Sequence, residues 1–286
     1  MKKRRGDERV LSDNARPLVP PSSHDRDDPA RQAPARFVVR SFARTDIGRY
    51  RQTNEDAHYR NDDLGLYIVA DGMGGHAAGE VASAEAVDAI YGMVKRGIPS
   101  LGDPMEPMTE ERARASCRLM EGAIQGATYM VFAISQFEHD KSGMGTTITA
   151  ALVLGDALVI GQVGDSRIYQ VRGVNVRQIT EDHTLIAWQI KQGILSPDEA
   201  RLSPHKNVIT RAVGNRDYVQ VDTSIVRIEP GDRYLLCSDG LHGYLHQEEI
   251  ADLVDIGGDN AVRAFIDLAN LRGGRDNITA VLLEVD

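Results

Sequence analysis

The sequence predicts an α+β fold in which antiparallel β-sheets pack together with helices on the outside. Three observations carry that reading. Residues 145–174 (GTTITAALVLGDALVIGQVGDSRIYQVRGV) break at Gly155-Asp156, Gly164-Asp165 and Arg172-Gly173, about every nine residues, the rhythm of short strands and tight turns in a meander. Two long segments, 77–97 and 109–139, carry apolar residues at helical spacing. Strands, roughly ten in all, do not alternate with helices, which favours sheets packed on each other and covered by helices.

Taken in order, FVVRSFAR (37–44) and LGLYIVA (64–70) are apolar, β-branched and aromatic, and read as strands. The helix over 77–97 closes on Lys95, Arg96 and Gly97, a helix-stop pattern. Thr109 can cap the helix over 109–139, but Arg112 stands where a capping-box acid belongs, so the cap is partial. A mostly polar helical stretch follows the meander at 184–203. RYLLCSD (233–239) and NITAVLLEVD (277–286) are further strands, separated by helical segments near 246–270. Several strands are apolar on both faces, so both sheets should be covered.

Of the 286 residues, the first 36 form a class apart. They hold five of the eleven prolines and little apolar bulk, too little to offset the entropy of ordering, so a disordered tail is expected. Nine Lys and Arg against six Asp and Glu give that tail +3, which leaves −12 of the chain's −9 on residues 37–286. A domain at −12 repels phosphate backbones and argues against nucleic acid as partner. It suits divalent cations. No apolar run is long enough for a membrane span, and no apolar segment backs the basic MKKRR start as a secretory signal would require. Cys117 and Cys237 are too few for a disulfide framework or a cysteine zinc site. Reduced thiols suit a cytoplasmic protein.

The acids fall at the ends of strands. Asp71 follows LYIVA, Asp239 follows YLLCS, Asp276 precedes NITAVLLEV, and Asp165 sits at the turn after VIGQV. Glu55 and Asp56 lie between two early strands. Any one aspartate in such a place can be a turn residue bonding its own backbone. Asp71 and Asp239, however, both follow apolar runs and precede glycine, and a buried carboxylate needs a counter-charge or a metal. Oxygen ligands without clustered histidine or cysteine select Mg²⁺ or Mn²⁺ over zinc or copper. Gly72 and Gly240 would then leave room for a carbonyl or water to approach the ion. Two near-motifs fail on context. Gly72, Gly74 and Ala77 fit a dinucleotide fingerprint, but Asp71 would face the pyrophosphate and no acid-ended strand follows at the required distance. GDSRI (164–168) lacks the last glycine of a nucleophile elbow and leads into a strand.

Eight motifs, in order, give the chain a family resemblance: R-x-x-N-E-D (51–56), VADGMGGH (69–76), GMGTT (143–147), VGDSRIY (163–169), TEDHT (180–184), NVITRAVG (207–214), CSDGL (237–241) and RDNIT (275–279). Over residues 37–286 the chain resembles the metal-dependent protein phosphatases of type 2C, the PPM family, and among them the compact bacterial members. The resemblance implies a sandwich of two antiparallel sheets flanked by helix pairs, with a two-metal Mn²⁺ or Mg²⁺ site at one end. By motif position, Asp71 bridges both ions, Asp239 and Asp276 complete one, and the Gly72 carbonyl holds the other. Glu55 and Asp56 hold metal-bound waters, and Asp165 with Asp239 matches a third, weaker ion site.

The same resemblance makes Arg51 the phosphate-binding arginine and counts Asp56 and His76 with it as catalytic residues. Met73 stands where eukaryotic relatives have a histidine proposed as general acid, and methionine has no proton to donate. A metal-bound water or His76 must then serve. Asn277 is expected to support Asp276, and His183 to brace the Thr180–Thr184 turn. Residues 184–215, with the only tryptophan, Trp188, match a flap beside the active site that shapes substrate choice. The implied activity is phosphoserine and phosphothreonine hydrolysis on protein substrates by a cytoplasmic monomer opposing a Ser/Thr kinase. A silent binding scaffold is the alternative, disfavoured because every metal-site acid is present. A phosphatase of small molecules would share the site, and a nuclease is disfavoured by charge.

Overall fold

A computed structural model describes residues 37–286 apart from 75–77, 202 and 206. The expected disorder of 1–36, and His76, lie outside the described residues. The first sheet holds β1 (Val39–Asp46), β7 (Arg167–Arg172), β8 (Asn175–Gln178), β10 (Arg233–Cys237) and β11 (Ile278–Val285), in the order β1-β11-β10-β7-β8. The second holds β2 (Asp56–Asn61), β3 (Leu66–Met73), β5 (Ile148–Leu154), β6 (Ala157–Val163) and β9 (Asp222–Arg227) in sequence order, with the short β4 (Gly145–Thr146) paired to β3. Every pairing is antiparallel. The predicted meander is present only as two hairpins, whose turns follow from glycine; at Gly164-Asp165 the chain instead crosses from the second sheet to the first, β6 pairing β5 and β9 while β7 pairs β8 and β10. Leu154 pairs Ala157 around Gly155-Asp156, and Arg172 pairs Asn175 around Gly173-Val174. Gly155 and Gly173 both take φ of 57°, as a two-residue hairpin turn needs.

Strand alternation builds three apolar layers. In β3, Leu66, Ile68 and Ala70 pack with α1 (Ala78–Gly97) and α2 (Glu110–Phe137), while Tyr67 and Val69 enter the space between the sheets. In β11, Val281, Leu283 and Val285 meet them there. Ile278, Ala280 and Leu282 point the other way, to α6 (Gln247–Asp255) and α7 (Gly258–Arg272). Both faces of both sheets are therefore buried, the four-layer helix–sheet–sheet–helix arrangement expected from the apolar strands. In the helix pair α1 and α2, Gly126 leaves room for the Met93 side chain, which a Cβ there would run into.

Local departures have local causes. The β1 strand is shifted two residues from the predicted 37–44, and β3 runs on through Asp71 and Gly72 to Met73. β2 and β9 were not visible as strands because both are polar and half-buried. Asp56 therefore opens a strand rather than lying between two. The helical stretch predicted over 184–203 is two short helices, α3 (Leu185–Lys191) and α4 (Pro197–Arg201), parted at Gly193, whose φ is 69°. Thr109 does cap α2, its Oγ1 accepting from the Arg112 N–H at 3.2 Å. The Arg112 guanidinium turns back to the carbonyls of Glu106 and Asp103, so it anchors the preceding loop where a capping-box acid would have closed on the cap.

Candidate metal centre

Strand pairing alone gathers the acids. Asp56 faces Asp71 across β2 and β3, and directly opposed antiparallel residues hold their Cβ atoms about 4.5–5.5 Å apart. Cys237 pairs Ala280, so Asp239 just after β10 and Asp276 just before β11 leave the first sheet at one edge. Asp239 opens α5 (Asp239–His242), and Asp165 lies in the turn between β6 and β7. The two sheets meet at this end: Ser238 and Thr279 of the first donate their hydroxyls to Asp56 Oδ2 of the second, at 2.8 and 2.6 Å.

The acids repel one another. Burial pushes the Asp71 carboxyl well above the usual range, and the charges of Asp56, Asp239, Asp165 and Asp276 push it further. Burial lifts Asp56 to about 7 against the pull of the Thr279 and Ser238 hydroxyls. It also lifts Asp165 to about 7, with Asp239 and Asp182 adding repulsion. Asp239 rises through burial and then Asp276. Arg51 enters this balance closely, donating to Asp276 Oδ2 at 2.7 Å and standing 3.8 Å from Glu55, while Arg167 pulls on Asp165. Both of these partners are acids of the sequence-predicted site.

Such a cluster fits divalent cations, which supply the missing counter-charge. Asp56 Oδ1 is buried without a hydrogen-bond partner among the described residues, an orphaned anionic oxygen of the kind an ion or its water satisfies. Among the described residues, no three His, Cys, Asp or Glu side chains close into a cage of their own. The donors present suit Mg²⁺-like ions, which take one or two carboxylates and keep several waters.

Gly72 and Gly240 are bare for a reason sequence did not reveal. A Cβ on Gly72 would run into the Gly79 carbonyl and stand 2.5 Å from the Glu55 carbonyl, and one on Gly240 would run into the Asn277 carbonyl. Close backbone packing, with Gly72 N–H donating to the Glu55 carbonyl at 3.1 Å, accounts for both glycines. Gly72→Ala is expected to lower stability by about 3 kcal/mol through this overpacking, measured by denaturant unfolding.

Two supporting roles take a particular form. Asn277 supports Asp276 through its backbone, whose N–H donates to Asp276 Oδ1. The Asn277 amide pins the loop that carries Arg51, accepting from Glu55 N–H at 2.8 Å and donating to the carbonyls of Ile47 and Thr53. His183 braces more than its own turn, since its Nδ1 accepts from Gly164 N–H, next to Asp165. Sequence reasoning passed over Ser238, Thr279 and His242. The first two abut the acid motifs as C-S-D and D-N-I-T. His242 donates Nε2–H to the Asp165 carbonyl, and burial keeps the ring neutral, down to about 3.

A helix–sheet–sheet–helix sandwich with acids converging at one end of the sheets defines a class, the divalent-cation enzymes that act on phosphate. Residues 49–271 match the sequence profile of the protein phosphatase 2C family, and the chain belongs to that family. It is similar to the serine/threonine phosphatase Stp of Listeria welshimeri, 38% identical over 246 residues, covering 84% of this chain and 94% of that one. Among solved structures it resembles the serine/threonine phosphatase PstP/Ppp of Mycobacterium tuberculosis (TM-score 0.76, 34% identity, 86% of this chain and 98% of that one). It likewise resembles the PstP catalytic domain in complex with two manganese ions (TM-score 0.74, 34% identity, 87% and 99%).

Proposed function

We propose that this chain is a protein serine/threonine phosphatase that uses two divalent ions, Mn²⁺ or Mg²⁺, to hydrolyse phosphoserine and phosphothreonine. The observation that carries the reading is the set of mutually repelling carboxylates around the orphaned Asp56 oxygen, in a chain of this family. Asp71, Asp239, Asp276 and the Gly72 carbonyl would hold the two ions, with Glu55 and Asp56 acting through water and Asp165 with Asp239 holding a third. Bound there, such ions supply Lewis-acid charge for an in-line attack of water on phosphorus. The Arg51 side chain, 46% exposed, offers a planar fork of donors to phosphate oxygens on its open side. Met73 cannot protonate the leaving alkoxide, and we assign that role to His76 or to water.

The segment 184–215 acts as the flap that selects protein substrates. Its two ends are joined where Leu185 N–H donates to the Val208 carbonyl and Thr210 N–H to the His183 carbonyl, both at 2.8 Å. Between them Trp188 and Ile194 are more than half exposed, apolar surface suited to a substrate chain. The enzyme opposes a Ser/Thr kinase as a cytoplasmic monomer; among the described residues no helix is long and apolar enough to cross a membrane.

The test is release of phosphate from a phosphothreonine peptide with and without Mn²⁺, in the native chain and in Asp239→Asn. Turnover that needs Mn²⁺ and vanishes in the variant is the expected result. Mn²⁺ binding with no turnover in the native chain would transfer the assignment to a binding scaffold.

A further inference from the structure

Asp56 is held by a directed chain of hydroxyls that begins outside the acid cluster. The direction of each bond can be worked out. In the ionised form that binds a cation, Asp56 Oδ2 is an acceptor, so Ser238 Oγ and Thr279 Oγ1 both donate to it, at 2.8 and 2.6 Å. With its proton spent, Thr279 Oγ1 must accept from Thr45 Oγ1 at 2.8 Å. Thr45 Oγ1 in turn accepts from Asn54 Nδ2 at 2.9 Å. The Asn54 Oδ1 accepts the Asp56 backbone N–H at 3.2 Å, which closes a ring through Asn54, Thr45, Thr279 and Asp56. Ser238 Oγ is fixed from behind by the Thr279 N–H at 3.0 Å. A chain in which every hydroxyl donates one way polarises each successive bond, so the last donor is the strongest.

The consequence lies on the other oxygen. Two donors occupy Oδ2, while Oδ1 is buried and has no partner among the described residues. Asp276, by contrast, divides its oxygens between Arg51 and its own neighbour's N–H.

We infer that Ser238 and Thr279, backed by Thr45 and Asn54, are positioning residues that commit one oxygen of Asp56 to the protein and present the other, Oδ1, to the divalent ions and their water. The inference rests on the placement of Asp56 in the metal centre proposed above. It explains why the asparagine of N-E-D and the threonine of D-N-I-T belong to one site though they stand far apart in sequence.

The experiment is a Mn²⁺ titration by calorimetry on the full chain, in native protein, Thr279→Val, Thr279→Ser and Asp56→Asn, and in the double variant Thr279→Val with Asp56→Asn. Thr279→Val removes the donor at constant shape and is expected to weaken Mn²⁺ binding about 10- to 100-fold, the usual cost of losing an outer-shell partner. Thr279→Ser should restore native affinity, because the hydroxyl returns. In the Asp56→Asn background, Thr279→Val should cost nothing further, since the group it positions has already lost its charge. A Thr279→Val effect that persists undiminished in that background, or that serine fails to rescue, overturns the positioning role. Native Mn²⁺ affinity and turnover in Asp56→Asn would overturn instead the placement of Asp56 in the centre.

Discussion

Asp71→Asn is expected to abolish phosphate release, by about 10²- to 10³-fold, while leaving the fold intact. A single preorganised electrostatic group is worth about 10²–10³ in rate, and Asp71 is the acid toward which Asp56, Asp239, Asp165 and Asp276 all turn their charge. Three hydrogen bonds made by its main-chain atoms fix its place in β3. Its N–H donates to Thr147 Oγ1 at 3.0 Å, and its carbonyl accepts from Thr147 N–H and from the Thr146 hydroxyl, both at 2.9 Å. Asparagine keeps all three. It also removes a charge that burial penalises, so the variant should melt no lower than the native chain. Turnover and thermal melting, followed on the same preparation, check both halves. An active Asp71→Asn protein would remove the two-ion assignment at its centre.

With divalent ions stripped by a chelator, the protein should lose stability as pH rises from about 4 to about 7. The sign follows from the raised carboxyls. Asp165 and Asp56 have ordinary values of 3.8 in the unfolded chain and titrate at about 7 in the fold. Across that window the unfolded state releases protons that the folded state keeps, so unfolding becomes easier with pH and the effect is complete above about 7. The loss is on the order of a few kcal/mol. Groups of opposite sign act elsewhere: Asp222, held down to about 2 by its bond to His183 and then by Arg211, loses its contribution only as pH falls below about 4. Melting temperatures of chelated protein between pH 4.5 and 8 should fall, and saturating Mn²⁺ should flatten the profile by supplying the counter-charge. Asp165→Asn should remove part of the slope without metal. A chelated profile that rises across this range would mean that the acids are neutralised by the protein itself.

Much of this molecule is legible along the chain. The glycines at 155 and 173 announce their hairpins because only φ near 57° closes a two-residue turn of that hand. The helix α2 shows its cap at Thr109 and its buried stripe at period 3.6. β3, β10 and β11 show themselves through apolar runs on both faces, since strands covered on both sides have little polar surface to display. The acids at strand ends, and the motif order around them, were enough to identify the family. β2 and β9 were not legible, because a half-buried, polar edge strand has the composition of a loop until a neighbour pairs with it.

What tertiary structure alone decided is how the pieces of the site hold one another. Asp56 receives hydroxyls from Ser238 and Thr279, 182 and 223 residues away. Asn277 pins the Arg51 loop through the Glu55 N–H, 222 residues off. Gly72 and Gly240 look like openings for an ion, yet their missing Cβ atoms make room for carbonyls of other segments. The reason is physical: strand period, helix period and turn chemistry are set by neighbours a few bonds apart and leave a pattern in sequence. A hydrogen bond or a backbone contact between two sheets depends on how those sheets pack, and no local pattern encodes it.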